Sequence, residues 1–519
     1  MSTLTLTHLN RLQQLGIEMI SSVVRWSAVS VVVGVLAAVG ALTGVSANLL
    51  FFALVSLGFA IALSTSLRNA TFYSLVFLCF KPALLRLAYH LDSLNASQPT
   101  VDLFRFSAGL YLSVLCLIVI AKRLLENRRL IQSKLDLVIA LFIGVYAISI
   151  VNPHNSVLAG LAGFERNIFP TVVVFFLAGE VIKTKTDITA LFKIITVTAL
   201  LTTLYGLKHA FTGLWGFETT AFNDMFAQRG FDGWLTIGIK GVEFRTFSTF
   251  YGYMEFTFTL ALWGILLLGD RVKHLSGAWR TLRWMTALAM IVLLAISLER
   301  TPMLMIIGGL LTAWYIRSEM RKRKTIVAVS VILLLTLVSG ITVFERQLEE
   351  TGVAKLERIA ELSDPSKASS IQDRIDRMWK PTLRIIAANP LGVGAGYGSQ
   401  TIATHAPAGT GLQSQPHNEL LQKALEAGWL GAALFGAIMV MLFRQLKRQS
   451  ETASDDSIKR FAALGCGVVV AFALCGQINL PFSGPEGIFF WFISGAIIHV
   501  AYRYQTIATE RDKPVEAPA

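Results

Sequence analysis

Apolar runs follow one another along almost the whole chain, separated by short polar breaks. A helix needs about 20 mostly apolar residues, within a range near 17–25, to cross a bilayer's hydrocarbon. Runs of about that kind occupy residues 27–43, 48–63, 72–89, 103–121, 135–151, 168–182, 188–211, 247–269, 284–298, 302–316, 326–344, 420–443, 461–478 and 488–502. Lys81, Pro82 and Arg86 interrupt the third, and 168–182 and 302–316 are short. The pattern therefore predicts twelve to fourteen transmembrane helices, one or two of them re-entrant or displaced. It divides the chain into a cytoplasmic N-terminal segment (1–26), a transmembrane bundle (27–344) with an external loop at 212–246, a large external loop (345–416), C-terminal transmembrane helices (417–504) and a cytoplasmic tail (505–519).

Composition agrees. Of 519 residues, 54% are hydrophobic and 15% charged, and mean hydropathy is +0.59; soluble domains carry about 25% charged residues. Backbone in lipid must satisfy itself, so the spans are helices and the fold class is an all-α polytopic membrane protein with a large, partly helical loop. An outer-membrane barrel would show short alternating segments instead. The net charge of +13 is gathered into loops. Lys122, Arg123, Arg128, Arg129 and Lys134 form one; Arg271, Lys273, Arg280 and Arg283 a second; Arg317, Arg321, Lys322, Arg323 and Lys324 a third; Arg444, Lys447, Arg448, Lys459 and Arg460 a fourth. Alternating the spans from a cytoplasmic N-terminus puts all four on the cytoplasmic side, as the positive-inside rule requires. The charge is topological, and no nucleic-acid recognition motif accompanies it. Cys79, Cys116, Cys466 and Cys475 all lie in apolar runs without a CxxC or Cys/His cluster, which suggests neither a disulfide framework nor a zinc site. No apolar stretch with a cleavage site stands in the first 26 residues, so the first span itself is expected to direct insertion.

The loop at 345–416 has structure of its own. Ile371, Ile375, Met378, Thr382 and Ile385 recur at helical spacing, with Arg374, Arg377 and Arg384 among them, which predicts an amphipathic helix over 370–388. Asn389-Pro390 ends it, and Leu391-Gly392-Val393-Gly394-Ala395-Gly396-Tyr397-Gly398 follows. No βαβ context surrounds these glycines, so they read as flexible backbone near a site rather than a nucleotide fingerprint.

Candidate chemistry gathers at the non-cytoplasmic helix ends. Pro416-His417-Asn418-Glu419 opens a helix, with His417 at its mouth. Gly428 follows eleven residues later, on the same face and about 16 Å along the axis if the helix is continuous; Gly431 lies close to that face. Small residues there let another helix approach, and the plainest reading of the pattern is a polar cap over a packing seam. Arg245 opens the span at 247–269, where it could serve as an interfacial anchor. Arg300 lies between two spans with almost no loop, where it could pair with Glu299. Charges at membrane depth are costly and are candidates for function. Two guanidiniums suit a diphosphate, which their planar forks bind bidentately. A neutral imidazole can take a proton from an attacking hydroxyl. Together they suit displacement of a diphosphate by an alcohol, and no carboxylate cluster suggests a metal on that face. Glu180 and Glu255 lie within predicted spans, where pairing with Lys or Arg is the expected role.

The motif His417-Asn418, nine residues, Gly428, two residues, Gly431 resembles the O-antigen ligase and polymerase superfamily, the Wzy-C class of bacterial membrane glycosyltransferases. The preceding loop with Asn389-Pro390-Leu391-Gly392-Val393-Gly394, the Arg245 segment and Glu299-Arg300-Thr301 add to the likeness, which extends from about residue 244 to 443. The resemblance implies transfer of a glycan from undecaprenyl diphosphate to an acceptor hydroxyl at the periplasmic face of the inner membrane, without metal or cofactor. It implies Arg245 and Arg300 as holders of the diphosphate and His417 as the base. Arg374, Arg377 and Asn418 become candidates for binding substrate. The partners implied are the lipid-linked donor and an acceptor glycan or lipid A–core. Ligase, polymerase and protein O-glycosyltransferase remain alternatives, because the span number exceeds the usual ligase plan. A transporter or flippase of lipid-linked glycans is the competing class, but no inverted repeat is visible.

Overall fold

Lipid offers the backbone no partners, so long apolar runs close their hydrogen bonds within helices. The computed structural model describes residues 47–94, 103–127, 131–227, 246–250, 252–269, 277–297, 300–319, 374–397 and 415–511, with a few single positions besides. Helices α1 (Ala47–Thr65), α2 (Leu67–Leu94), α3 (Leu103–Leu125), α4 (Lys134–Ser149), α5 (Val157–Asn167), α6 (Phe169–Val181), α7 (Lys185–Thr212) and α8 (Gly216–Ala227) come first. Then come α9 (Tyr253–Gly269), α10 (Gly277–Ile296), α11 (Arg300–Arg317), a π-helical turn (Arg374–Trp379) running into α12 (Lys380–Ala388), α13 (Glu419–Thr452), α14 (Asp456–Cys475) and α15 (Pro485–Arg511).

The protein is an all-α polytopic membrane protein. Among the described residues, nine helical stretches are long and apolar enough to cross a membrane. The predicted run 27–43 lies outside the described residues, as does nearly all of 326–344. Runs 135–151, 247–269 and 302–316 form the shorter helices α4, α9 and α11, of 16, 17 and 18 residues. The short run 168–182 is not isolated: α5 and α6 join across a kink at Ile168, and together they make one apolar stretch from Val157 to Val181. Pro170 in the first turn of α6, which needs no N–H there, suits that restart.

Close contact between small residues sets the packing. The carbonyl of Gly309 in α11 lies where a side chain on Gly467 of α14 would go, so these backbones nearly touch. The two ends of the bundle differ chemically. At one, Arg123 donates from Nε to Glu180 Oε1 at 3.0 Å, Lys183 lies 3.6 Å from Glu180, Lys185 pairs with Asp455, and Arg503 donates to the Gly179 carbonyl at 2.7 Å. Glu180 is thus a paired buried carboxylate. At the other end four helices begin: α9, α11, α13 and α15.

Candidate active site

The residues around His417 are fixed by a break in a helix. Residues 419–452 are helical, but Ala427 (φ −122°, ψ 17°) and Gly428 (φ 70°, ψ −174°) are not. A break inside a bundle exposes backbone groups that must find partners. Here the loop after α12 supplies them. Val393 N–H donates to the Leu425 carbonyl at 2.8 Å, Gly394 N–H to that of Glu426 at 3.0 Å, and Trp429 N–H to that of Pro390 at 3.1 Å. The connection between α4 and α5 closes over the other side: Asn152 Nδ2 donates to the Gly392 carbonyl at 3.0 Å and Asn155 Nδ2 to that of Ala395 at 2.8 Å. Beneath lies a small apolar core of Ile386, Val393, Tyr397, Ala424 and Leu425.

Two expectations change here. Gly428 does not mark the His417 face of a continuous helix; it is the break itself, in a left-handed conformation that favours glycine. The glycine-rich turn is not loose backbone. A side chain on Gly392 would lie 2.5 Å from Gly428 N and 2.6 Å from the Glu426 carbonyl. Its glycines permit backbone to lie on backbone.

That block carries His417. Trp379 Nε1 donates to the Pro416 carbonyl at 2.8 Å, tying the π-helical turn to the residue before it. Asn418 caps α13: its Oδ1 accepts from Leu421 N–H at 3.0 Å, and its Nδ2 donates to the Gln477 carbonyl at 2.9 Å. The cap is therefore Asn418, not His417, and the side chain of Asn418 is occupied by backbone partners. His417 sits half-buried at φ 45°, a left-handed conformation uncommon for a side-chain-bearing residue. Among the described residues, nothing hydrogen-bonds its ring.

Arg374 is drawn into the same place. It donates from Nη1 to the Ile478 carbonyl at 2.7 Å, and its charge reaches His417, Tyr253 and Cys475. Burial, and secondly the Arg374 charge, push the His417 imidazole down to about 4. It is therefore neutral at ordinary pH and able to accept a proton. Removing the Arg374 charge removes the second cause, so the His417 value rises and the ring stays protonated to higher pH. Arg374→Gln is accordingly expected to move the acid limb of the kcat/KM profile to higher pH. An unmoved limb in the pH–rate profile would disprove this coupling. Arg377, on the same turn, is exposed.

The remaining candidates are placed through their helices. Gly264 lies beside Ile306, and Gly269 beside Leu310, so α9 and α11 run parallel. Tyr253, at the start of α9, and Cys475, at the end of α14, both lie within reach of Arg374, so α14 runs against them. From the Gly309–Gly467 contact, Arg300 is nine residues back and Gly476 nine residues on. At about 1.5 Å per residue both reach the same level, about 13 Å from that contact. Gly476 accepts from Glu419 N–H at 2.7 Å, which sets the start of α13 there as well. The Arg300 backbone thus begins α11 at the level of His417; its side chain is outside the described residues, and so is Arg245. Thr246–Phe250, directly after Arg245, forms a buried turn leading to α9.

Glu255, Glu419 and Glu486 stand in the first turns of α9, α13 and α15, and Glu486 lies within electrostatic reach of the other two. They complement the positive helix ends. Among the described residues, no three His, Cys, Asp or Glu side chains gather so as to hold a metal ion. Sequence reasoning missed Tyr253, Glu419 and Glu486 as neighbours, since each is ordinary in its own helix and only the packing brings them together.

A family model described as O-antigen ligase, of the Wzy-C class, matches residues 285–436, from within α10 through Arg300 to the first turns beyond Gly428. The match supports membership of the O-antigen ligase and polymerase superfamily. No curated protein matches the chain significantly.

Proposed function

We propose that this protein transfers a glycan from undecaprenyl diphosphate to an acceptor hydroxyl, at the periplasmic end of the helix bundle in a bacterial inner membrane. The observation that carries the reading is His417, held neutral and half-buried beside Arg374 where α9, α11, α13 and α15 begin. The first turns of α9, α13 and α15 already carry Glu255, Glu419 and Glu486, so guanidiniums would supply the positive charge for an anion at this end. A diphosphate there would meet Arg300 at the head of α11, Arg245 before the buried turn, and Arg374, most of whose N–H donors are unused among the described residues.

The acceptor oxygen attacks the anomeric carbon and forms the new glycosidic bond. The bond from that carbon to the diphosphate oxygen breaks, and undecaprenyl diphosphate leaves with the electron pair. The acceptor's proton passes to His417. A bound diphosphate offsets the Arg374 charge, which raises the imidazole towards its ordinary value when a base is needed. Asn418 and Trp379 hold the backbone on either side of His417, and Arg377, exposed on the same turn as Arg374, would be a contact for the glycan. No metal takes part in this scheme, because the leaving group's charge is carried by guanidiniums. A polymerase or a ligase would use the same parts with different acceptors.

Loss of one desolvated guanidinium–phosphate contact costs several kcal/mol, hence at least about a hundredfold in rate. Arg300→Ala and Arg245→Ala are each expected to reduce transfer by that factor at unchanged membrane levels, measured with lipid-linked glycan and acceptor in proteoliposomes. Full transfer by both variants rejects the scheme. Flux of lipid-linked glycan without any acceptor would favour a transporter instead.

A further inference from the structure

The helix that continues the π-helical turn has two unlike faces. In α12, Thr382 and Ile386 are buried, Ile386 in the small core with Ala424 and Leu425 of α13. Lys380, Leu383, Arg384, Ala387 and Ala388 are exposed, and so is Arg377 on the turn before. Lys380 lies 2.6 Å from Asp376, also exposed, so the net charge of this face is that of Arg377 and Arg384. Just past the helix, Leu391 is 84% exposed; Trp429 and Leu430 are 55% and 58% exposed. These three are neighbours, because Trp429 N–H donates to the Pro390 carbonyl and a side chain on Gly428 would meet the Leu391 backbone.

Their depth follows from α13 and α14. Glu419 N–H donates to the Gly476 carbonyl, at the end of α14. Beyond the break, residues 429–452 are about 36 Å long, against about 30 Å for the whole of α14. The part of α13 that crosses the membrane therefore starts at the break, and from Trp429 no charged residue occurs before Arg444. Residues 419–427, and α12 beside them, lie at the end of the bundle and not within its apolar thickness. Leu391, Trp429 and Leu430 lie at the boundary between the two. A short amphipathic helix at that depth, with arginine and leucine outward and tryptophan at its border, has the composition of a helix in the headgroup region.

We infer that the outward face of α12, together with Leu391 and Trp429, docks on anionic phospholipid of the surrounding leaflet. Arg384 meets the headgroup charge, and Leu383 and Leu391 enter the acyl boundary. An acidic glycan would match Arg384 but would leave Leu391, Trp429 and Leu430 against water. Because α12 continues the turn that carries Arg374 and Trp379, the lipid surface also steadies that turn beside His417. The inference stands apart from the reaction proposed above, since a protein without transfer activity would dock in the same way.

The test uses the full-length protein carrying Leu391→Cys with a bimane label, in phosphatidylcholine vesicles with or without phosphatidylglycerol. The four native cysteines are buried and stay out of the reagent's reach. Either lipid is supplied with a nitroxide on its acyl chain, and the ratio of the two quenching efficiencies reads the local preference for the anionic lipid. Both lipids are expected to quench, phosphatidylglycerol the more strongly, and salt should weaken the difference. Arg384→Gln is expected to lower the preference about fivefold, the worth of one basic residue at an anionic surface, and Arg384→Lys to keep it. Ala388→Cys, also exposed, carries the label if Leu391→Cys does not fold. A label that neither lipid quenches, equal quenching by both, or an unchanged preference in Arg384→Gln overturns the docking. A label that escapes both lipids but responds to soluble polygalacturonate would assign the face to an acidic glycan instead.

Discussion

Replacing His417 by alanine is expected to reduce glycan transfer by about 10²–10⁴-fold, the range a positioned general base contributes. The variant should reach the membrane in normal amounts, because the ring makes no hydrogen bond among the described residues and the cap of α13 belongs to Asn418. The expectation follows from three constraints on one side chain. Trp379 and Asn418 fix the backbone on either side of it. Burial and Arg374 keep it neutral. The same Arg374 guanidinium is the kind of group that favours an anionic leaving group beside it. Transfer assays on equal amounts of membrane protein decide the matter, and a loss of less than a few fold would remove His417 from the chemistry.

Gly428→Ala carries the second large effect. At φ 70°, ψ −174°, a region open essentially to glycine alone, a side-chain-bearing residue costs about 1–3 kcal/mol. The added carbon would also lie 2.6 Å from the carbonyl carbon of Leu391 and would overlap the Pro390 carbonyl oxygen, both of them backbone atoms that cannot rotate aside. The loop that satisfies the broken helix would have to move away, freeing the Leu425 and Glu426 carbonyls and the Trp429 N–H together. A destabilisation of at least about 2 kcal/mol is expected, with transfer falling as His417 and Arg374 lose their common support. Gly436→Ala, lower in the same helix, is the control: nothing lies within 4 Å of its added carbon, and alanine is the better helix former. Thermal unfolding of both variants in detergent separates the two cases. Equal melting of Gly428→Ala and the parent would show that the break is not needed.

The break also shows how far a linear reading reaches. Eleven residues between His417 and Gly428 look like three turns of one face, and a glycine is tolerated inside many helices. Only the arrival of Pro390–Gly394, donating and accepting at Leu425, Glu426 and Trp429, makes a non-helical pair affordable there. Arg86 makes the same point. Its partner Glu218 is 132 positions away, and nothing in the local pattern around Lys81, Pro82 and Arg86 encodes that pairing.

By itself the sequence determined the helical, membrane-crossing character of the chain, the collection of basic residues into particular loops and a helix start within Pro416-His417-Asn418-Glu419. These are local or compositional, and lipid enforces them, since an apolar run has no other way to close its hydrogen bonds. Tertiary structure alone decided that α13 is interrupted, that Arg374 comes beside His417, and that Arg86 grips the Thr246–Phe250 turn. Each depends on groups remote along the chain satisfying one another's buried charges and backbone dipoles, a condition that exists only once the helices have packed.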